Sequence, residues 1–333
     1  MSWRDKEDLG TQLVAHVHDS LKIPDDYTVD EGRGFAWWAA DYAQRVWCDL
    51  GNFHNATTLY RVHTEIDVLN AKGHAADAEL SIARAMADGT LSAVVYDSEH
   101  DLYKLHCAFY AHYDNEPWIR KVLVAAVALQ IAEAQRLALD LTKEYKMAHA
   151  MSEHPKKGAR KTPDQICDFE HRFFRPYGAG DSRWMGTEEW EDGRQALRRI
   201  AANVDTDHKM NLEASFDWSF GQRDMSLIVS AVEPHASLGN GLTLSLTLPI
   251  LMDDSIKAHV AMLLNDHERR DWNWYNDIGA WSIKNGELVF VIFVPNVCYT
   301  PGILSDFCHD MGLRANWVHE HWGELVKQAW MLG

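Results

Sequence analysis

The stretch GELVFVIFVPNVCY, Gly286 to Tyr299, is the most strand-like segment of the chain, and Thr300-Pro301 directly after it is typical of a helix start. A stretch with an unlike sequence but the same layout lies about 184 residues earlier. It is DLYKLHCAFYAHYD, Asp101 to Asp114, and it runs into a segment with Pro117 in the equivalent place. The pair of segments predicts that the chain contains one arrangement twice.

Apolar periodicity over the remaining residues extends this repeat. The predicted helices are Asp5–Leu21, Ala75–Ala87, Pro117–Tyr145, Thr187–Val204, Asp253–Asn265 and Thr300–Trp330. The predicted strands are Gly34–Tyr42, Gln44–Leu50, Thr57–Leu69, Leu91–Tyr96, Leu102–Tyr113, Leu212–Phe220, Met225–Val232, Leu242–Ile250, Asp271–Ile283 and Gly286–Tyr299. Each half therefore reads helix, three strands, helix, two strands, helix.

This order predicts an α+β protein of two similar domains, each with a mainly antiparallel sheet and helices packed on it. A length of 333 residues also fits two domains of about 150 residues. We expect an N-terminal domain over 1–148, a linker over 149–186 with a short helix at Gln165–Phe174, and a C-terminal domain over 187–333. Chance agreement between two ordinary α+β domains is the alternative, because the halves share negligible residue identity.

Composition narrows the choice of partner. The formal net charge of -17 repels phosphate backbones, so nucleic acid is not expected, whereas basic peptides are compatible with it. The charged start MSWRDKEDLG and the short apolar runs predict neither a secretory signal nor a membrane span, and we expect a cytoplasmic protein. The five cysteines form no CxxC pair, which predicts reduced, buried thiols and no zinc ribbon. No cofactor is expected.

Two segments of the second half resemble a known group of proteins. LTLSLTLPILMDDSIKAHVAMLLND, Leu242 to Asp266, and GELVFVIFVPNVCYTPGILSDFCHDM, Gly286 to Met311, are similar to the pattern of the YbjN-like proteins, and the element order resembles class I type III secretion chaperones. The resemblance covers about residues 209–330 and, by layout only, 5–145. It implies a protein-binding role and a tandem copy that acts as an intrachain pseudo-dimer, with a homodimer as a further option. It has no signature motif and implies no site residues.

The clearest candidate for chemistry lies on the strand Thr57–Leu69. Alternation places His63, Glu65 and Asp67 on one face, where His106 or His112 of a neighbouring strand would meet them. A metal-dependent or acid-base hydrolase would use such a face. The polar outer face of a half-exposed sheet has the same pattern without any function.

Other histidine and cysteine patterns give less support to catalysis. The pairs His16/His18 and His319/His321 lie on predicted helices, where positions two apart point in different directions and cannot chelate one metal. Cys308 and His309 are adjacent in a helix and point apart for the same reason. No P-loop, GxSxG, GxGxxG or HExxH motif occurs. We therefore expect a protein that is not an enzyme.

Aromatic and apolar residues of the second half suggest binding instead. The segment from Gly286 is apolar on both strand faces, and tryptophans cluster in the neighbouring strands, which core packing or a recognition surface would explain. The predicted partner-binding residues are Trp218, Trp272, Trp274, Val289, Val291 and Phe293. The leading hypothesis is a chaperone-like adaptor that holds a protein or peptide segment on apolar surfaces. A hydrolase and a structural subunit of a larger assembly are the alternatives.

Overall fold

The computed structural model describes residues 2–54, 57–71, 75–200, 214–220, 225–270 and 275–332. These residues form an α+β protein with two antiparallel sheets, as predicted. The chain divides into two compact units. Unit 1 comprises Met1–Ala78, Ser92–Arg172 and Arg269–Ile278, and unit 2 comprises Glu79–Leu91, Phe173–Glu268 and Gly279–Gly333.

Unit 1 contains a seven-stranded sheet. Its strands are β1 (Thr28–Asp30), β2 (Gly34–Trp38), β3 (Ala43–Cys48), β4 (Asn52–His54), β5 (Thr57–Asn70), β6 (Ala93–Asp97) and β7 (Leu102–Ala111). The strand order is β1-β2-β3-β5-β7-β6, with β4 paired to β5. The central strand β5 therefore lies between β3 and β7, and its side chains reach the middle of both sheet faces.

The helices that accompany this sheet begin and end at sequence signals. They are α1 (Leu9–Ser20) and α3 (Glu116–Tyr145); α2 (Ala75–Ala85) begins in unit 1 and belongs to unit 2 from Glu79 onward. Asp8 caps α1 by accepting a hydrogen bond from the Thr11 backbone N–H. Pro117 occupies the first turn of α3, where no N–H is needed, and Lys146 ends that helix in the left-handed region, with φ 57°.

Helix α3 is long and apolar enough to cross a membrane, but 72% of its most apolar window is buried inside the protein. It packs against α1 and on β5 and β7. Its Gln130 is fully buried, and the side-chain oxygen of Gln130 accepts hydrogen bonds from Thr64 at 2.8 Å and Gln44 at 2.9 Å. Gln130 also donates to Ser92 at 3.0 Å. The helix is thereby held in one register on the sheet, because a shift would leave these buried polar groups without partners.

Unit 2 contains a five-stranded sheet in the order β11-β12-β10-β9-β8. Its strands are β8 (Ser215–Phe220), β9 (Met225–Ser230), β10 (Gly241–Leu248), β11 (Ala280–Lys284) and β12 (Glu287–Pro295). Its helices are α4 (Arg175–Gly178), α5 (Glu189–Ile200), α6 (Asp254–Arg270) and α7 (Ile303–Leu332), with the last two residues of α6 in unit 1. Read from β8 to β11, the order of these strands across the sheet matches the order β2-β3-β5-β7-β6 in unit 1. Strands β1 and β4 are additional there.

The core of unit 2 includes a buried ion pair. Arg314 of α7 is fully buried, and its Nε and Nη2 atoms donate to both carboxylate oxygens of Glu268, each at 2.8 Å. The indole N–H of Trp281 donates to the same carboxylate at 2.8 Å. Such a pair tolerates burial because both charges have partners with good geometry.

Most predicted elements are confirmed with ends shifted by a few residues. The strand predicted over Asp271–Ile283 is wrong in length: β11 begins only at Ala280, and residues 271–274 lie outside the described residues. Helix α7 begins at Ile303, two residues after Pro301, because Gly302 has a φ of 92° that interrupts the start. The predicted short helix at Gln165–Phe174 is a 3-10 turn followed by a π-helical turn.

A glycine in unit 2 provides a test of this packing. A Cβ atom at Gly178 would lie 1.7 Å from the backbone oxygen of Leu238, whereas nothing lies within 4 Å of a Cβ at Gly180. We expect Gly178→Ala to lower the free energy of unfolding by about 2 kcal/mol or more, because the backbone contact has no room to relax. Gly180→Ala, the matched control, should change it little. Urea unfolding of both variants checks this, and equal stabilities would contradict it.

Candidate functional site

A cleft with a volume of about 670 Å³ lies on one face of the unit 1 sheet. Its size is within the range of ligand pockets, about 300 to 1,000 Å³. The lining residues are Glu31, Arg33, Arg45, Trp47, Glu65, Asp67, Asp97, Glu99, His100, Leu102, Lys104 and Arg269. Five carboxylates and four Arg or Lys side chains thus surround one open space.

Strand alternation produces this charged face. His63, Glu65 and Asp67 point to the same side of β5, and antiparallel pairing places His106 of β7 opposite Glu65, as the sequence predicted. His112 does not join them, since its Nδ1 atom accepts a hydrogen bond from the Asp114 backbone N–H. The register between β5 and β7 shifts between Asp67 and Leu69, a β-bulge next to Asp67.

The alternative explanation, the solvent-facing side of a half-exposed sheet, is wrong. Residues Arg61 to Leu69 are buried on both sides of β5. Two described segments of unit 1 contact the polar side. Asp277 pairs with Ala108 of β7 through two backbone hydrogen bonds and its carboxylate binds Arg61, while Arg269 donates to Glu65. The sequence pattern of a polar, exposed strand face is the same as that of a polar face buried with ionic partners.

Lys104 lies at the centre of the buried charges. Its Nζ atom is 2.9 Å from a Glu65 oxygen, 2.7 Å from an Asp97 oxygen and 3.6 Å from an Asp67 oxygen. Burial alone would lower the pKa of Lys104, but the charge of Glu65 and the hydrogen bond with Asp97 outweigh it and raise the pKa. Burial also pushes the pKa of Asp97 upward, while hydrogen bonds from Lys104 and His100 lower it more. Lys104 is therefore a fixed cation that keeps Asp97 ionised.

The two outer acids of the cleft are paired less completely. Glu65 pairs with Arg269 at 3.0 Å in addition to Lys104, whereas the closest cationic group to the Asp67 carboxylate in the described part of the chain is Arg45 Nη1 at 3.4 Å. The closest pairing of Glu31 with Arg45 is 3.8 Å. Burial raises the pKa of Asp67, against the opposing charges of Arg45 and Lys104. Burial also raises the pKa of Glu31, with Arg45 opposing it and Glu65 and Asp67 adding to it.

A buried chain of hydrogen bonds begins beside the cleft. His63 Nε2 lies 3.1 Å from an Asp49 oxygen, and His63 Nδ1 lies 3.2 Å from His106 Nε2. If Asp49 is ionised, His63 donates to it from Nε2, and its Nδ1 then accepts the N–H of His106. The Trp47 ring stacks on His63 with the ring centroids 4.6 Å apart.

Both histidines of this hydrogen-bond chain favour the neutral form. Burial lowers the pKa of His63, against the raising effect of Asp49. Burial lowers the pKa of His106 well below its ordinary value, and the charges of Arg61 and Arg269 lower it further. The hydrogen bonds that link Asp49, His63 and His106 are therefore suited to hold both rings as neutral, fixed tautomers beneath Trp47.

Metal ligation has no support among the described residues. In 2–54, 57–71, 75–200, 214–220, 225–270 and 275–332, no group of three or more His, Cys, Asp or Glu side chains is placed to hold a metal ion. His16 and His321 instead bond to neighbours on their own helices, Ser20 Oγ and the Trp317 carbonyl. His18 is buried against Trp3. The cysteines are free thiols, all of them buried except the half-buried Cys167.

The four described residues among the predicted partner-binding residues do not form an open surface. Trp218, Val289, Val291 and Phe293 are at most 5% exposed, so a partner cannot reach them in this conformation. Phe293 is covered within unit 2 by the His235 ring, and its backbone N–H donates to the Thr90 carbonyl. Trp272 and Trp274 lie outside the described residues. Burial of these apolar side chains follows from the two-sided apolar pattern of β12.

Sequence reasoning identified the floor of the cleft but missed its walls. Glu31, Arg45, Asp97 and Arg269 come from different elements and carry no spacing that links them in sequence. Only Lys104 shared a predicted strand with His106 and was visible as part of a polar face. Alternation along β3 places Arg45 and Trp47 on the same face. This alternation was the one sequence signal for a wall residue, and it becomes informative only once β3 is known to pair with β5.

Comparison of the chain with known protein families, with curated proteins and with solved structures finds no match. The resemblance to secretion chaperones therefore stays a prediction from sequence pattern.

We expect Lys104→Met to lower the free energy of unfolding by about 3 kcal/mol or more at pH 7.5, because it leaves buried carboxylates without their central cation. The deficit should shrink at pH 5, where protonation of the carboxyl groups removes uncompensated charge. Urea unfolding at both pH values checks this. Lys143→Met, at an exposed position on α3, is the control and should change stability by less than about 0.5 kcal/mol. A Lys104 variant as stable as the control would contradict the central role of Lys104.

The lowered pKa of His106 predicts a loss of stability in acid. The folded state disfavours the protonated ring, so the unfolded state binds more protons once the pH falls below the ordinary value of 6.5. Between pH 7.5 and 5.5 the free energy of unfolding of the native protein should fall by about 1.4 kcal/mol more than that of His106→Gln, whose amide still donates to His63. His171→Gln, at an exposed position, is the control. Urea unfolding at the two pH values measures the difference, and identical pH dependence of His106→Gln and the native protein would refute this.

Proposed function

We propose that this chain is a non-enzymatic binding protein, chaperone-like in its fold, that takes up a segment of a polypeptide partner in the cleft of unit 1. The observation that carries the proposal is the cleft itself: an open space of about 670 Å³ whose floor consists of buried charges. Because Lys104 and Glu65 are held by other protein groups, the floor is a preorganised surface that needs no rearrangement to meet a ligand.

The shared strand order of the two sheets supports the chaperone-like part of the proposal. Secretion chaperones, which the sequence resembles, pair two copies of one such domain. We propose that this chain carries both copies in tandem as a pseudo-dimer. A mass near 38.0 kDa in solution, measured by light scattering, is what this arrangement requires.

Trp47 provides the test of polypeptide binding at the cleft. Selection of phage-displayed random dodecapeptides on the immobilised protein should enrich sequences that bind at micromolar affinity. Trp47→Ala should weaken the binding of these peptides at least tenfold, because the cleft loses its aromatic contact area. Trp330→Ala is the matched control, since Trp330 is 63% exposed and lies outside the cleft. Failure to enrich any peptide, or equal binding to Trp47→Ala, would refute the proposal.

An acid-base hydrolase is the second candidate, favoured by the chain of Asp49, His63 and His106. In that case His63→Gln would abolish turnover of an activated ester such as p-nitrophenyl acetate, while Trp330→Ala would retain it. Ester turnover that is the same in the native protein and in His63→Gln would exclude this use of the histidines.

A further inference from the structure

Asp67 is the buried carboxylate of the cleft whose nearest cation is the most distant, compared with Glu65 and Asp97. It is 7% exposed, yet the closest cationic group to its carboxylate among the described residues is Arg45 Nη1 at 3.4 Å, followed by Lys104 Nζ at 3.6 Å. Its neighbour Glu31 has Arg45 as its only ion-pair partner in the described part of the chain, at 3.8 Å. A buried carboxylate whose cations lie at these longer distances is compensated less completely, and a ligand that brings a closer cation would stabilise it.

The cationic side chains of the cleft cannot supply this cation to Asp67, because each is engaged with another carboxylate. Lys104 already holds Glu65 and Asp97, and Arg269 donates to Glu65. Arg33 binds Asp8 at 2.9 Å, outside the cleft. Arg45, with a side chain 34% exposed, is shared between the two acids: its Nη1 donates long hydrogen bonds of 3.4 and 3.5 Å to Asp67, and its Nε lies 3.8 Å from Glu31. The unmet demand in the cleft is therefore for positive charge.

The length of the cleft limits the shape of such a ligand. Trp47 pairs with His63, and Asp67 lies four residues further along β5, a distance of roughly 13 Å. The Trp47 ring lines the same cleft and offers an aromatic surface to an aliphatic stem or a cation. A ligand that contacts both ends is extended and carries its cationic group at one end.

We propose that the cleft binds an extended organic cation, with a guanidinium or ammonium group between Asp67 and Glu31 and its stem along Trp47. This rests on the proposed function, in which the cation is a Lys or Arg side chain of the bound polypeptide; a free polyamine has the same chemistry. The β-bulge beside Asp67 bends the strand where the cationic group is received.

The experiment uses the full chain and two probes: the peptides selected by phage display, and spermidine, with affinities measured by calorimetry. The variants are Asp67→Asn and Glu31→Gln, which keep shape and remove charge. Asp114→Asn is the matched control, because the Asp114 side chain is 97% exposed and outside the cleft. Glu31, with a side chain 39% exposed at the rim, keeps the test decisive if Asp67→Asn fails to fold.

The expected result is that selected peptides contain Lys or Arg and lose at least tenfold in affinity with Asp67→Asn and with Glu31→Gln, but not with Asp114→Asn. Peptides that require Trp47 but bind equally well after Arg is replaced by citrulline would overturn cation recognition and leave polypeptide binding standing. Spermidine binding that depends on Asp67 and Glu31, without any selected peptide, would support the cation site and overturn the polypeptide function. Binding of neither probe would overturn both.

Discussion

The structure of unit 1 depends on one interaction, the contact of the buried Lys104 ammonium with Glu65 and Asp97. Charges removed from water are stable only when they have close partners, and here the partners come from β5 and from the end of β6. Arg269 adds a second cation to Glu65. Because each of these groups needs the others, the strands that carry them and the segment with Arg269 must assemble together. The charged face is therefore both a core of the unit and the floor of an open cleft.

The compensation of charge is uneven across this floor, and the unevenness is what suggests a function. Around Lys104 the carboxylates of Glu65 and Asp97 each have a close cation, so this end is a rigid support. Around Asp67 and Glu31 the nearest cation among the described residues is the partly exposed Arg45, at longer distance. A ligand site needs a rigid support and a group whose interactions are incomplete. The cleft has the rigid support at the Lys104 end and the less completely paired carboxylates at the Asp67 end. The neutral pair of His63 and His106 beneath Trp47 extends the frame.

Periodicity predicts the elements well where one face of an element is apolar throughout. The long stripe of α3, the alternation of β5 and β10 and the two-sided apolar pattern of β12 predict elements within a few residues of their observed ends. The prediction fails over 271–283, where a tryptophan-rich segment favours a strand although, among the described residues, only Ala280–Lys284 forms one. Aromatic content is a weak guide to strand, since packing against neighbours decides it. The four described residues that were predicted to bind a partner are core residues.

The sequence by itself determined which residues share a face, because alternation along a strand depends only on the backbone. Alternation alone was therefore enough to group His63, Glu65 and Asp67. Only the tertiary structure decided that this face is buried, that Lys104 neutralises it and that Asp67 is left with distant partners. The reason is that Arg269 and Asp277, which contact this face, and the walls at Glu31 and Asp97 are remote in sequence from β5. Local pattern encodes the direction of a side chain, and long-range packing decides what that side chain meets.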